Sequence, residues 1–170
     1  MTIDRRTLLG FTLVVATAMS GAAQAQTEQA DARAFLTVSG NVTAANADGS
    51  VSFDRESLEA LGMVTIDTAT PWHKGVVRFE GVPLHKLMQT VGAKGEKVAV
   101  VALNDYSSEI PIEDFEKHNV ILALKRDGEY MPVRDKGPLF VIYPYDEKPE
   151  LRNQKFYSRS VWQVSRIIVK

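Results

Sequence analysis

Apolar positions fall into short runs of strand length separated by glycine, proline and acidic turn residues, and one segment carries a clear helical period. Residues 35–42 predict a first strand, followed by a turn at Ala47-Asp48-Gly49-Ser50. Asp54 is placed to cap a short helix over residues 55–61, with Gly62 just past its end. Residues 64–69 and 76–79 predict strands flanking the loop 70–75. Leu84, Leu87, Met88 and Val91 then recur at helical spacing between Pro83 and Gly92, the pattern of an amphipathic helix docked on a sheet. The unbroken apolar run 98–103 predicts a central strand covered on both faces. Beyond it, residues 104–109 read as a polar loop and 112–117 as one or two helical turns. Residues 120–125 read as a strand turning at Asp127-Gly128 into 130–133. Strands at 139–143 and 161–169 complete the set, with the charged segment 146–157 between them. Strands and short helices mix without regular alternation, so the expected class is α+β, strand-rich mixed sheets with short helices.

The first 25 residues carry a different pattern. Arg5 and Arg6 precede a short apolar stretch that ends at Ala23-Gln24-Ala25, the order of parts of a cleavable export signal. Residues 26–34 are polar and alanine-rich and read as a flexible leader, leaving 35–170 as a single domain. The expected location is the periplasm, by the general or the twin-arginine route, with no direct membrane insertion after cleavage. Loss of Arg5, Arg6 and Asp4 from 20 basic and 21 acidic residues leaves a net charge of −2. That balance gives no footprint for nucleic acid. With no cysteine in the chain, neither a disulfide nor a thiolate metal site can form.

Several chemistries lack their residues. His73, His85 and His118 show no ligand spacing and read as solvated, so no metal site is expected. The acidic pairs Asp114 with Glu116 and Glu147 with Glu150 read as solvated faces. Neither a G-x-S-x-G elbow nor a phosphate-cradling glycine loop is present.

Four segments in register carry a resemblance: Phe79-Glu80-Gly81-Val82-Pro83-Leu84, then Asn104-Asp105-Tyr106 with Ile110-Pro111, then Gly137-Pro138-Leu139 before Ile142-Tyr143-Pro144, and Ser160-Val161 with Ile167 and Val169. Over residues 64–170 the chain resembles the molybdopterin-binding domain of the sulfite oxidase family. The resemblance implies that family's fold and a site for a pterin cofactor whose molybdenum is held by a protein cysteine. It sets Thr68 at or near the cysteine position, and Trp162-Gln163 where family members show a lysine and a tryptophan. A hydroxyl does not replace a soft thiolate. The implied function is therefore that of small exported members without the cysteine: a non-catalytic pterin-binding protein, not an enzyme. Such a protein relays its ligand state to the periplasmic domain of a membrane-anchored cyclic-dinucleotide signalling partner, with pterin as ligand and no molybdenum. The alternative is a molybdenum-cofactor-binding oxidoreductase lacking the usual cysteine ligand.

The residues themselves agree with a flat heterocyclic ligand, whose site needs aromatic faces and a few fixed polar groups. Trp72, Tyr106, Tyr145, Tyr157 and Trp162 lie in or beside predicted loops and strand ends. Asp105 or Asp146 is a candidate to accept paired N–H donors from an amino-pyrimidinone edge. Thr70, Arg159 and Ser160, with Thr68, are candidates for the remaining edge. Structural readings stand beside these: Trp162 alternates with Val164 as a core residue would, Asp105 suits a turn before Tyr106, and Arg159 suits a surface charge. The loops 68–73, 104–109 and 143–162 are expected to converge on one pocket, and segment 146–157 to be the part that ligand contact orders.

Overall fold

The computed structural model describes residues 35–170; the expected export signal and leader lie outside the described residues. Its elements, in chain order, are β1 (Leu36–Gly40), β2 (Ser50–Phe53), α1 (Arg55–Glu59), β3 (Val64–Ala69), β4 (Val76–Pro83), α2 (Leu84–Thr90), β5 (Lys97–Ala102) and β6 (Ser107–Pro111). They continue with α3 (Glu113–Lys117), β7 (Ile121–Arg126), β8 (Glu129–Tyr130), β9 (Phe140–Ile142), α4 (Gln154–Arg159) and β10 (Val164–Val169). Short 3-10 turns at Val133–Asp135 and Pro149–Leu151 precede β9 and α4. One sheet runs β2-β1-β10-β5-β6; the other runs β3-β4-β7-β8, with β9 also paired to β7. The β1–β10 pair is parallel and the other ladders are antiparallel, so the sheets are mixed within an α+β chain, as the pattern predicts.

Alternation explains how these strands share their side chains. On β7, Leu122 and Leu124 enter one apolar core with Leu84, Leu87, Met88, Val91, Val98 and Val100, while Ile121 and Ala123 enter a second with Ile66, Phe79 and Phe140. A period of two sends successive residues to opposite faces, so one strand can serve both cores. The helix predicted from its apolar stripe is α2, whose Leu84 and Leu87 are completely buried. Asp54 caps α1 by accepting the Ser57 N–H at 2.8 Å. β4 runs on to Pro83, past the predicted end at 79, through a bulge against β7 at Glu80/Gly81. Only glycine fits at 81, because a Cβ there would collide with the Leu122 carbonyl.

Three expectations are corrected. Residues 107–111, read as the end of a polar loop, form the edge strand β6, where Ile110 is buried and its neighbours face outward. An edge strand needs little apolar sequence. The long strand predicted from 161 begins instead at Val164, because Gln163 adopts a left-handed φ of 54° and breaks the extension. The charged segment 146–157 is not a loop: Pro149–Leu151 and α4 occupy much of it, and Asn153 caps α4 by accepting the Lys155 N–H at 3.0 Å.

Candidate functional site

A cleft of about 440 Å³ opens where the ends of the two sheets meet α4. Pro71 and Trp72 come from the β3–β4 loop, Ala102 from the end of β5, and Asn104 and Tyr106 from the turn into β6. Gln154, Tyr157 and Ser158 are presented by α4, and Ser160, Val161 and Trp162 by the segment entering β10.

Trp72 packs against both apolar cores, which fixes it at their shared end. Its ring stands 5.7 Å from Trp162 at 72°, 6.0 Å from Tyr157 at 76° and 5.5 Å from Phe140 at 59°. Such tilted and edge-to-face packing holds the rings in place, and Lys136 Nζ stands 5.4 Å from the Trp162 ring centre. Tyr106 closes the far wall, donating its hydroxyl to the Ser158 carbonyl at 3.3 Å. The polar groups are neutral amides and hydroxyls. Asn104 Oδ1 accepts the Tyr106 N–H at 3.2 Å, so its amide N–H2 is the part left to donate. Tyr145 is buried beneath the cleft and donates to the Phe156 carbonyl at 3.2 Å. Its single proton is thereby spent, so the 2.7 Å contact with Ser160 has the Ser160 hydroxyl donating, and Ser160 Oγ keeps its lone pairs. Burial also pushes the Tyr145 phenol well above its ordinary value, so it stays neutral.

Of the predicted ligand residues, Trp72, Tyr106, Tyr157, Ser160 and Trp162 line this cleft. Trp162 is 39% exposed and does not sit in the core its alternation suits, since the turn at Gln163 faces it outward. The others do not reach the cleft. Thr68 is completely buried, its hydroxyl accepting the Asp146 N–H at 3.1 Å and donating to the Ala69 carbonyl at 3.3 Å. Asp146 returns the contact by accepting the Ala69 N–H at 2.8 Å, and it is paired with Arg152. Thr70 bonds to His73 at 2.9 Å. Asp105 has a φ of 62°, which turns it outward to Arg166 at 2.8 Å and leaves the preceding Asn104 facing the cleft. Tyr145 lies below the floor. Arg159 is neither a ligand group nor a surface charge: its guanidinium is 2.5 Å from Asp114, which also accepts the Tyr143 hydroxyl at 3.0 Å, all three being largely buried.

Sequence reasoning missed Pro71, Ala102, Asn104, Gln154, Ser158 and Val161 as cleft residues. The signal for two of them was the Asn153 cap, which starts a helix whose spacing sets Gln154 and Ser158 on one face with Tyr157. The histidines also differ from their solvated reading. His118 is 8% exposed with Nδ1 unpartnered, its ring 5.5 Å from Phe156, and His73 is tied into a polar network. Among the described residues no three His, Asp or Glu side chains gather as a metal site, and no helix is long and apolar enough to cross a membrane.

The geometry fits part of a molybdopterin-type cofactor. Aromatic faces and neutral amide and hydroxyl edges suit the flat pterin. The metal's protein ligand does not fit: the chain holds no cysteine, and the side chain set at the expected thiolate position is a hydroxyl engaged with backbone away from the cleft. Among the described residues no lysine or arginine lines the cleft to meet a phosphate.

The family described as "Oxidoreductase molybdopterin binding domain" matches residues 24–147. No curated protein matches the chain significantly. Among solved structures it is similar to the sulfane dehydrogenase SoxCD from Paracoccus pantotrophus, at 19% identity and a TM-score of 0.58. That likeness covers 79% of this chain and 37% of the other, so it speaks for a shared fold over about a third of the longer protein. The fold is thus the sulfite oxidase-like molybdopterin-binding one. The expectation that the chain is not an enzyme is corrected by the family match, because that family is one of oxidoreductase domains.

Proposed function

Because the chain belongs to the oxidoreductase molybdopterin binding domain family, we propose that its Trp72–Trp162 cleft holds the pterin of a molybdopterin-type cofactor, in an oxidoreductase domain that lacks the family's cysteine ligand. The observation that carries this reading is the convergence of Trp72, Tyr106, Tyr157 and Trp162 on one uncharged cleft. The rings cover the faces of a bicyclic heterocycle and keep water from it. The Asn104 amide is free to donate to a ring carbonyl, and Ser160 Oγ to accept from an amino or ring N–H. Gln154 offers both functions at the mouth.

Equilibrium dialysis against pterin itself, 2-amino-4-oxopteridine, read by its own fluorescence, tests the site. One equivalent bound by the wild type and none by the double variant Trp72→Ala with Trp162→Ala is the expected result; no uptake by the wild type contradicts the reading. Loading with the complete molybdenum cofactor then separates two versions of it. Molybdenum and pterin retained together after gel filtration assign the chain to oxidoreductase chemistry with non-protein groups completing the metal's ligands. Pterin retained alone assigns the cleft to a metal-free pterin.

The exposed apolar side chains beside the cleft favour a partner as well. Leu103, Tyr106, Val133 and Trp162 are each 39–52% exposed, and Gln163 links two of them by accepting the Leu103 N–H and donating to the Val133 carbonyl. A partner seated over that rim, in the periplasm if the export signal is used, would read whether the cleft is filled.

A further inference from the structure

His73 immediately follows Trp72, and its ring nitrogens have assignable roles. Arg126 Nη1 lies 3.2 Å from Nε2, and a guanidinium only donates, so Nε2 accepts. The ring proton therefore sits on Nδ1, which donates to Thr70 Oγ1 at 2.9 Å. Arg126 is anchored in turn on Asp135 at 2.7 Å, and the imidazole stands edge-on to Phe79 at 5.7 Å. Thr70 and His73 thus bracket Pro71 and Trp72, and the chain Thr70–His73–Arg126–Asp135 staples that loop to the end of β7 and the Val133–Asp135 turn.

We propose that His73 is a proton-gated positioning residue for the cleft: its neutral form holds Trp72 in place, and a proton added at Nε2 sets two donors against each other at Arg126 and releases the loop. The charged groups facing the ring are Arg126 and Lys136, which oppose that proton, and Asp135 and Asp127, which favour it. Burial first and Arg126 second hold the imidazole below the ordinary histidine range, so the gate opens on the acid side of 6.5. The inference rests on the pterin reading only where affinity is concerned, since the position of Trp72 can be read without ligand.

The test uses the full chain carrying Trp162→Phe, in which Trp72 is the single tryptophan. Its emission, followed without ligand from pH 8 to pH 4.5, shifts red in one acid transition. Adding His73→Gln, whose amide oxygen can still accept from Arg126 but does not titrate, removes that transition while leaving His118 in place. A transition that persists in the Gln variant, or emission flat in both, overturns the proposal. In a second arm, pterin affinity of the wild type falls about tenfold through the same transition, the worth of one charge-assisted contact, and stays level in His73→Gln. An acid shift in emission with no pterin bound at any pH sinks the pterin reading alone; parallel affinity profiles in the two proteins sink the gate.

Discussion

Thr68 and Trp72 belong to one stretch of chain leaving β3, and the molecule treats them in opposite ways. Thr68 is completely buried, and its hydroxyl is locked between the Asp146 N–H and the Ala69 carbonyl. Trp72 projects into an open cleft beside Tyr157 and Trp162. In the resembling family a protein cysteine at or near the position of Thr68 grips the metal, and the proposed reading gives the pterin to the aromatic and polar surfaces of the cleft. Here the first region has been closed by a backbone-bonded hydroxyl and the second is present as a cavity. The two parts of a cofactor site can therefore be separated, because each depends on different chemistry: one soft ligand at one atom, against extended ring surface spread over four segments.

Truncating the open region gives the largest expected effect on binding. Stacking of a heterocycle on one aromatic side chain is worth about 1–3 kcal/mol. Trp72→Ala should weaken pterin binding by about 5- to 150-fold, and the double variant with Trp162→Ala should bring it below detection in dialysis. Both rings are partly exposed, so the folded state should survive, which circular dichroism checks. If the double variant binds as the wild type does, the cleft is not the site.

Asp146→Ala sharpens the comparison from the closed side. It strips the Ala69 N–H of its acceptor and Arg152 of its partner, a loss of about 1–3 kcal/mol in stability. Denaturant midpoints should show that loss while pterin affinity changes by less than Trp72→Ala changes it. An affinity loss equal to that of Trp72→Ala would show that the closed region is part of the binding site.

Thr68→Cys should do least. Sulfur is a weaker acceptor for the Asp146 N–H, so about 1 kcal/mol of stability should go. Because the side chain points into the sealed region, the new thiol should react slowly with a thiol reagent and add no molybdenum binding on cofactor loading. Rapid modification, or molybdenum gained, would mean that only the hydroxyl's identity, and not its position, separates this chain from a thiolate-held metal.

The same contrast shows what a sequence reveals. The buried strands were legible because apolar runs such as 98–103 and the stripe Leu84, Leu87, Met88, Val91 are dictated by the core they fill. Site residues obey no such period. Asn104 and Asp105 were both inside a quoted motif, yet the left-handed turn at Asp105 decides which of them faces the cleft, and that turn depends on local backbone geometry. Helix α4 was hidden because its rings serve two places: Phe156 packs on His118 and Tyr143, and Tyr157 packs on Trp72. Trp162 read both as a ligand contact and as strand interior, and the turn at Gln163 faces it to the cleft. Family register pointed to Thr68, and only its hydrogen bonds reveal that it looks away from the cleft.

The chain carries two tryptophans, Trp72 and Trp162, and both line the cleft, so intrinsic tryptophan fluorescence reports on that cavity without a label. Titration with pterin at pH 7.5, with emission excited at tryptophan wavelengths and corrected for pterin absorbance, is the most direct test of the central claim. Saturable quenching that ends at one equivalent, and that disappears when free pterin is dialysed away, is the predicted result. Emission unchanged at saturating pterin would contradict it.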